Sequence, residues 1–489
     1  MSSPTRSGGA GAGGPGTRSA GLLRQIGPLQ ATAINMTQMC GIGPFITMPG
    51  MVAAMGGPQA MFGWIVGAIV VIADGLIWAE LGAAMPGAGG TYIYLREAFQ
   101  YRTGRLMPFL FVWSAVLFIP LIMSSGIIGL VQYLGYLIPG VVDSGGATTV
   151  LGKVIGIGVV AVIMLLLLRK IGQITKFTMV LFGVMLFAML ATIVAAFSHF
   201  DAAQAFAFTP GAFSFSGGAF WMGLGAGLVI AVYDYLGYNT VAYLGAEVRN
   251  PGRTLPRAII FSIVGIMSLY FLFQVGVLGA LPLDQVQSAS SLGSMVLEQA
   301  WGTGVSKVIT VFIVIAAIGS VFAGLLGGSR VPYEAARDKV FLPVFGKLHP
   351  KLNLPTAGVL TMGVLTMAGS LFSLTDVISA AVSTLVLIQS LAQVAAIVVL
   401  RRRQPHLARP YRQWLYPLPT IIALAGFVYL YYSSTELSLW LSIGWIVFGV
   451  AAFLGWAKAE RTWPFGPKEI REAYSAEKTA GQKTEETPA

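Results

Sequence analysis

The chain has 489 residues, 56% of them hydrophobic and 10% charged, with a mean hydropathy of +0.77. Soluble domains carry about 25% charged residues, so this composition excludes a soluble globular enzyme and predicts an all-α polytopic membrane protein. The net charge of +11 would suit nucleic acid, but nearly all Lys and Arg lie in alternate loops, the positive-inside pattern of membrane proteins, and no nucleic-acid partner is expected.

Residues 1–27 are rich in Gly, Ser and Pro and predict a flexible cytoplasmic tail. The apolar run that follows is too long and too broken for a signal peptide, and it shows no clear cleavage site. Twelve transmembrane spans can be marked, at about 30–55, 59–84, 106–138, 150–169, 173–198, 219–246, 257–282, 305–329, 356–375, 378–400, 414–434 and 438–457. Basic residues test the count. Arg96, Arg102 and Arg105 follow span 2, Arg169 and Lys170 join spans 4 and 5, and Arg249, Arg253 and Arg257 follow span 6. Arg330, Arg337, Lys339, Lys347 and Lys351 follow span 8, and Arg401, Arg402, Arg403, Arg409 and Arg412 follow span 10. The opposite loops hold only Lys153 and Lys307. This alternation predicts a multi-pass protein of the cytoplasmic membrane, in contact with lipid throughout, with both termini cytoplasmic. The polar segment 458–489 is a second tail, its last stretch from Glu477 reading as disordered.

Span 1 carries Cys40-Gly41-Ile42-Gly43-Pro44 at its centre. Glycine loosens the backbone, and proline removes a donor and clashes with the preceding turn. Backbone groups freed inside a membrane must line a cavity or be buried in protein, so a broken span is a binding-site hypothesis. Tyr233-Asp234-Tyr235-Leu236-Gly237 interrupts span 6 in the same way. The two breaks are expected to face each other and form one site. Freed N–H groups at Gly41, Ile42 and Gly43 suit a carboxylate, and the carbonyls ending the preceding half-helix suit an ammonium. The competing reading is that small residues simply let helices pack closely.

Asp234 is a carboxylate within a membrane span, which marks a functional hypothesis by default. It can meet a substrate ammonium, take up a proton, or cap a half-helix. Tyr233, Tyr235, Tyr238 and Asn239 surround it as hydrogen-bonding groups, an aromatic gate, or packing. Asp74, mid-way along span 2, is the other candidate proton site, against a plain polar contact between helices. Glu80 lies two turns on, near the basic cytoplasmic end, where a structural ion pair is expected. Glu247 and Arg249 suggest a cytoplasmic charge network, and Gln132, Gln389 and Gln393 are polar without an assigned role. The single cysteine, Cys40, permits no intrachain disulfide. His199, His349 and His406 are scattered, so no metal and no cofactor are expected. No Ser–His–Asp set and no phosphate-binding loop with its lysine is present, which argues against an enzyme and against ATP-driven pumping.

Several stretches resemble the amino acid–polyamine–organocation superfamily. They are Gly41-Ile42-Gly43-Pro44-Phe45, Ala79-Glu80-Leu81-Gly82 through Pro86-Gly87-Ala88-Gly89-Gly90-Thr91-Tyr92, and Tyr233-Asp234 followed by Glu247-Val248-Arg249-Asn250-Pro251 and Pro256-Arg257-Ala258-Ile259. Ser329-Arg330, Ala336-Arg337-Asp338 and Leu342-Pro343 are similar to its loop after span 8, and together these stretches cover residues 30–457. The resemblance implies a LeuT-like fold: two inverted repeats of five spans, 28–210 and 211–404, then two further helices within 405–457. It implies a secondary transporter of amino acids working by alternating access. The substrate carboxylate would fall to Gly41, Ile42 and Gly43, and the amino group to carbonyls of Cys40, Ile230, Ala231 and Tyr233. The chain departs from the family pattern at Ile42, where Ser is common, and at Pro44. Phe182 stands where some members carry a lysine, and Ser320 lacks a hydroxyl neighbour. Proton coupling, exchange and facilitated uptake stay open, as does the oligomeric state. Ala231, small where many relatives carry an aromatic gate, suggests a roomy pocket that Ala231→Trp would narrow. A polyamine or organic-cation transporter of the same fold, a non-transporting sensor and an ion channel are the alternatives.

Overall fold

The computed structural model describes residues 24, 26–86, 90–143, 145–167, 174–216, 218–349 and 355–465. The tails 1–23 and 466–489, the motif residues 87–89 and the basic pair Arg169 and Lys170 lie outside the described residues. Regular structure among those residues is helical, apart from isolated bridges pairing Ile26 with Val248 and Val142 with Thr148.

The first apolar run forms two helices, α1 (Pro28–Met39) and α2 (Gly43–Met55), and α3 spans Ala60–Ala84. Pro28 and Pro44 sit in the first turns of α1 and α2, where a missing N–H costs nothing. α4 (Thr91–Thr103) is a helix that the apolar pattern does not signal, because its mean composition is polar. α5 (Leu106–Leu137), α6 (Val150–Leu167) and α7 (Ile174–Ser198) follow, then the short α8 (Ala202–Ala205). The sixth run forms α9 (Gly218–Tyr235) and α10 (Thr240–Tyr243). The break therefore begins three residues later than the sequence predicts and overlaps the expected stretch at Leu236 and Gly237: Tyr233, Asp234 and Tyr235 are still helical, and Leu236–Asn239 are not.

α11 (Pro251–Ala280) precedes α12 (Leu283–Ser288) and the long α13 (Leu292–Gly328), which kinks at Gly302 (φ 81°). α14 (Arg330–Arg337) lies beyond it. α15 (Thr356–Gly369) and α16 (Leu374–Leu385) come next, the latter passing through a π turn at Val386–Ser390 into α17 (Leu391–Arg403). α18 (Leu418–Tyr432) and α19 (Glu436–Ala459) complete the order.

Among the described residues nine helical stretches are long and apolar enough to cross a membrane, and α2, α15 and α18 are shorter apolar helices. The chain is thus a multi-pass helical membrane protein. Its surface carries Ile69, Val154, Leu165, Val194, Phe261, Val308, Val364 and Val447 outward, while Asn35, Asp74, Glu80 and Asp234 are buried. Lipid solvates the first set and cannot solvate the second.

α1, α2, α3, α9 and α11 pack on one another as one group. α5 packs against α13, α15 and α16 as a second group, with α7 reaching both α11 and α13. The two broken runs belong to the first group and face the second.

Candidate functional site

The break in span 1 is three residues long. At Cys40 the chain leaves helical geometry (φ −84°, ψ 60°) and its N–H closes on Met36 O at 2.7 Å. The Gly41 N–H reaches Met39 O at 3.0 Å, and the Phe45 N–H reaches Ile42 O at 3.1 Å. Pro44 has no N–H to give. The N–H groups of Ile42 and Gly43 are left at the start of α2, and no backbone carbonyl meets them among the described residues. A Cβ on Gly41 would lie 3.3 Å from Ser320 Oγ, so α13 borders this break.

The span 6 break lies against the backbone of the last turn of α1. Gly237 has φ +116°, a conformation that a side chain would strain. A Cβ there would also lie 2.9 Å from the Gln38 side chain and 3.0 Å from its carbonyl carbon. Asn35 of α1 is fully buried and joins them further. Its Nδ2 donates to Tyr238 O at 2.5 Å, and its Oδ1 accepts the Val241 N–H at 2.8 Å. One side chain of span 1 thus satisfies a carbonyl and an N–H that span 6 releases. Asn35→Leu strands both, at about 1–3 kcal/mol for each buried group. A clearly lower melting temperature of the purified protein is expected, and an unchanged one would show that the break supports itself.

Tyr270 of α11 serves the carbonyl ends. Its hydroxyl lies 2.8 Å from Met39 O, at the end of α1, and 3.3 Å from Asp234 O, at the end of α9. Its ring packs against Trp64 and Tyr235, with centroids 5.3 and 5.8 Å away.

Asp234 is 2% exposed. Its Oδ2 accepts the Thr47 hydroxyl at 2.5 Å, and its Oδ1 has no hydrogen-bond partner. That carboxylate lies directly against Gly43, the first residue of α2, where any Cβ would collide with Oδ1. No ion pair forms with it among the described residues. Asp74 is 1% exposed and accepts the Tyr238 hydroxyl, its other oxygen being unpartnered. Both candidate acids therefore touch span 6, Asp234 before its break and Asp74 through a residue within it.

The other expected site residues divide. Cys40, Gly41 and Ile42 form the first break and Gly43 begins α2, with Ile42 packed against Gly129 of α5. The Tyr233 hydroxyl shares a 2.5 Å hydrogen bond with Ser125 Oγ, reaching across to α5. Ile230 and Ala231 lie inside α9, where each carbonyl is taken by the N–H four residues on. Ile230 packs on Gly50 of α2. The Ala231 methyl faces Gly67 of α3, whose Cβ would lie 2.5 Å from it. An indole at position 231 would strike α3, which corrects the idea that Ala231→Trp narrows a pocket. The helix-end carbonyls are at Met39, which also accepts the Gly41 N–H, and at Asp234, which meets no backbone N–H among the described residues. Asn35, Thr47 and Tyr270 were not singled out by sequence; the available signal was a lone polar group at helical spacing from each break.

Near the end of α3, Glu80 has the basic partners expected of it: Arg401 Nε and Nη2 at 2.8 and 2.5 Å, and Arg409 Nε at 3.4 Å. The contact around Glu247 and Arg249 is instead a backbone one. Ile26 N–H donates to Glu247 O at 3.1 Å, and Arg249 N–H to Ile26 O at 2.9 Å. Gln393 Oε1 accepts the Thr91 hydroxyl at 2.7 Å, tying α17 to α4.

Comparison with known proteins places this geometry in context. A family model described as amino acid permease matches residues 26–453. The chain is 30% identical over 425 residues to a serine/threonine exchanger of Bacillus subtilis, covering 84% of this chain and 91% of that protein. It is 25% identical over 454 residues to a branched-chain amino acid permease of Bacillus subtilis, covering 89% and 91%. An Asc-type amino acid transporter of Mus musculus is 26% identical over 409 residues, covering 80% and 73%. With the family match running over nearly all of the described helices, the chain belongs to the amino acid permease family.

Proposed function

We propose that the protein is a secondary transporter that moves neutral amino acids across the cytoplasmic membrane by alternating access. The substrate lies between the broken spans 1 and 6. The observation that carries this reading is the pair of interlocked breaks, with the Ile42 and Gly43 N–H groups open at one helix start and the Met39 and Asp234 carbonyls at two helix ends. An α-carboxylate suits the first and an α-ammonium the second. The choice of neutral side chains follows the relatives, one a serine/threonine exchanger and another a branched-chain permease.

The architecture we propose has twelve spans, the three shorter apolar helices adding to the nine long ones. They form a LeuT-like pair of inverted repeats at 28–210 and 211–404, plus the helices of 405–457, with both termini cytoplasmic. Substrate binding biases rocking of spans 1, 2, 6 and 7 against the rest, through its differential affinity for the two arrangements. Asp74 and Asp234 are the candidates for a coupling proton.

A second reading has one observation in its favour: Asp234 is a buried carboxylate without a cation, which suits an organic amine. Counterflow in proteoliposomes separates the two. Vesicles loaded with unlabelled L-serine, L-threonine, L-valine and L-leucine should accumulate those same amino acids from outside, saturably. Accumulation of labelled putrescine in putrescine-loaded vesicles, with none of the amino acids, would replace this reading by the second.

A further inference from the structure

The start of α2 is the place where the reading above puts the substrate carboxylate. In this structure a carboxyl group of the chain is already there. Asp234 presses its carboxylate onto Gly43, takes a hydrogen bond from Thr47 one turn along the same helix, and leaves Oδ1 unpartnered at 2% exposure. Two carboxylates at one helix start, in a site closed to water, repel each other strongly. One helix end supplies only partial positive charge, equivalent to about half a unit. Among the described residues no lysine or arginine pairs with Asp234 to balance a second negative charge.

We propose that Asp234 is the proton carrier of the cycle: it takes a proton from the outer solution as the substrate carboxylate arrives at the start of α2, and returns it to the cytoplasm on release. The inference rests on the amino acid reading. One O–H bond forms on the Asp234 carboxylate and later breaks, and no bond in the substrate changes. A zwitterion and a proton cross together, so each turnover moves one positive charge inward.

The groups facing Asp234 make it the one that answers to the substrate. Cys40 reaches it from the break of span 1, Tyr270 from α11, and Tyr233 and Tyr235 flank it on α9. Thr47 faces it from α2 and cannot titrate at ordinary pH. Asp74, from α3, is engaged with Tyr238 within the span 6 break. The thiol and the three phenols are neutral at physiological pH. Asp234 is the acid that lies against Gly43.

The test measures proton uptake and binding separately, on the full chain in detergent. An equimolar mixture of L-serine, L-threonine, L-valine and L-leucine is the probe, binding is read by thermal shift, and proton uptake by a pH dye in weak buffer. Wild type should take up about one proton per bound amino acid, and its affinity should weaken about tenfold per pH unit in the alkaline range. A folded Asp234→Asn that still binds should take up none and lose the pH dependence. Wild-type binding without proton uptake, at an affinity indifferent to pH, overturns the inference and leaves the transporter reading standing. So does a folded Asp234→Asn that loses binding tenfold or more, which would make Asp234 the ligand of the amine. Absence of binding by wild type fails the amino acid reading itself, and this inference with it. Should Asp234→Asn not fold, the wild-type pH series decides alone.

Discussion

Gly43→Ala is expected to reduce amino acid uptake by about tenfold or more, because the added methyl group has nowhere to go. It would take the space of Asp234 Oδ1 and sit 3.4 Å from Asp234 Cγ. The aspartate has little room to retreat, being 2% exposed with its own carbonyl within reach of Tyr270. Overpacking of this kind costs about 1–3 kcal/mol. Pushing the carboxylate aside also breaks its bond with Thr47, a charge-assisted one worth about 1.5–3 kcal/mol. Removing the obstacle relieves the first cost, so Gly43→Ala combined with Asp234→Ala should melt higher than the sum of the two single effects predicts. Uptake by Gly43→Ala equal to that of wild type would mean that the carboxylate does not need this helix start.

Glu80→Ala is expected to be the most destabilising single change at the C-terminal end of α3. Glu80 is 1% exposed and gathers three elements on one carboxylate. Arg401 of α17 grips it with two nitrogens, the Gln413 N–H reaches Oε2 at 2.8 Å, and Arg409 approaches Oε1 from the loop between. The Arg409 side chain is only 7% exposed. Removing one partner of a buried pair leaves the other charge stranded, at about 3–5 kcal/mol. Arg401 keeps part of its support, since its guanidinium lies 3.8 Å over the Tyr416 ring. The change should appear as a large drop in melting temperature and yield. Coupling to Arg409→Ala should be strong: with Glu80 already gone, removing the stranded guanidinium should restore stability. Melting of Glu80→Ala at the wild-type temperature would show that the two arginines find solvent.

Both sites were partly legible in the sequence, for different physical reasons. Glycine and proline act on their own backbone, so Gly41, Gly43 and Pro44 marked the break in span 1 to within a residue. In span 6 the eye is drawn to Asp234, the charge, whereas the helix gives way at Leu236 and Gly237, the residue with positive φ. A charge advertises itself without bending a chain. The staple at Asn35 depends on partners 203 and 206 residues away, a separation no local pattern encodes. The direction of Ala231 was misread because the rotation of α9 is set by contact with Gly67 across the packing of α3. α4 escaped notice because a helix of polar composition leaves no trace in an apolar pattern.

The place of Tyr270 bears on how the carrier resets. Its one hydroxyl proton can point to a single carbonyl at a time, yet it stands within reach of both Met39 O and Asp234 O. In an empty site the Asp234 carbonyl meets no backbone N–H among the described residues, and a buried carbonyl without a partner is costly. Tyr270 can donate to it when no substrate does. On the transport reading proposed above, that favours return with nothing bound, hence net accumulation rather than strict one-for-one swapping. A phenylalanine in its place would leave swapping intact and make the empty return the slow leg.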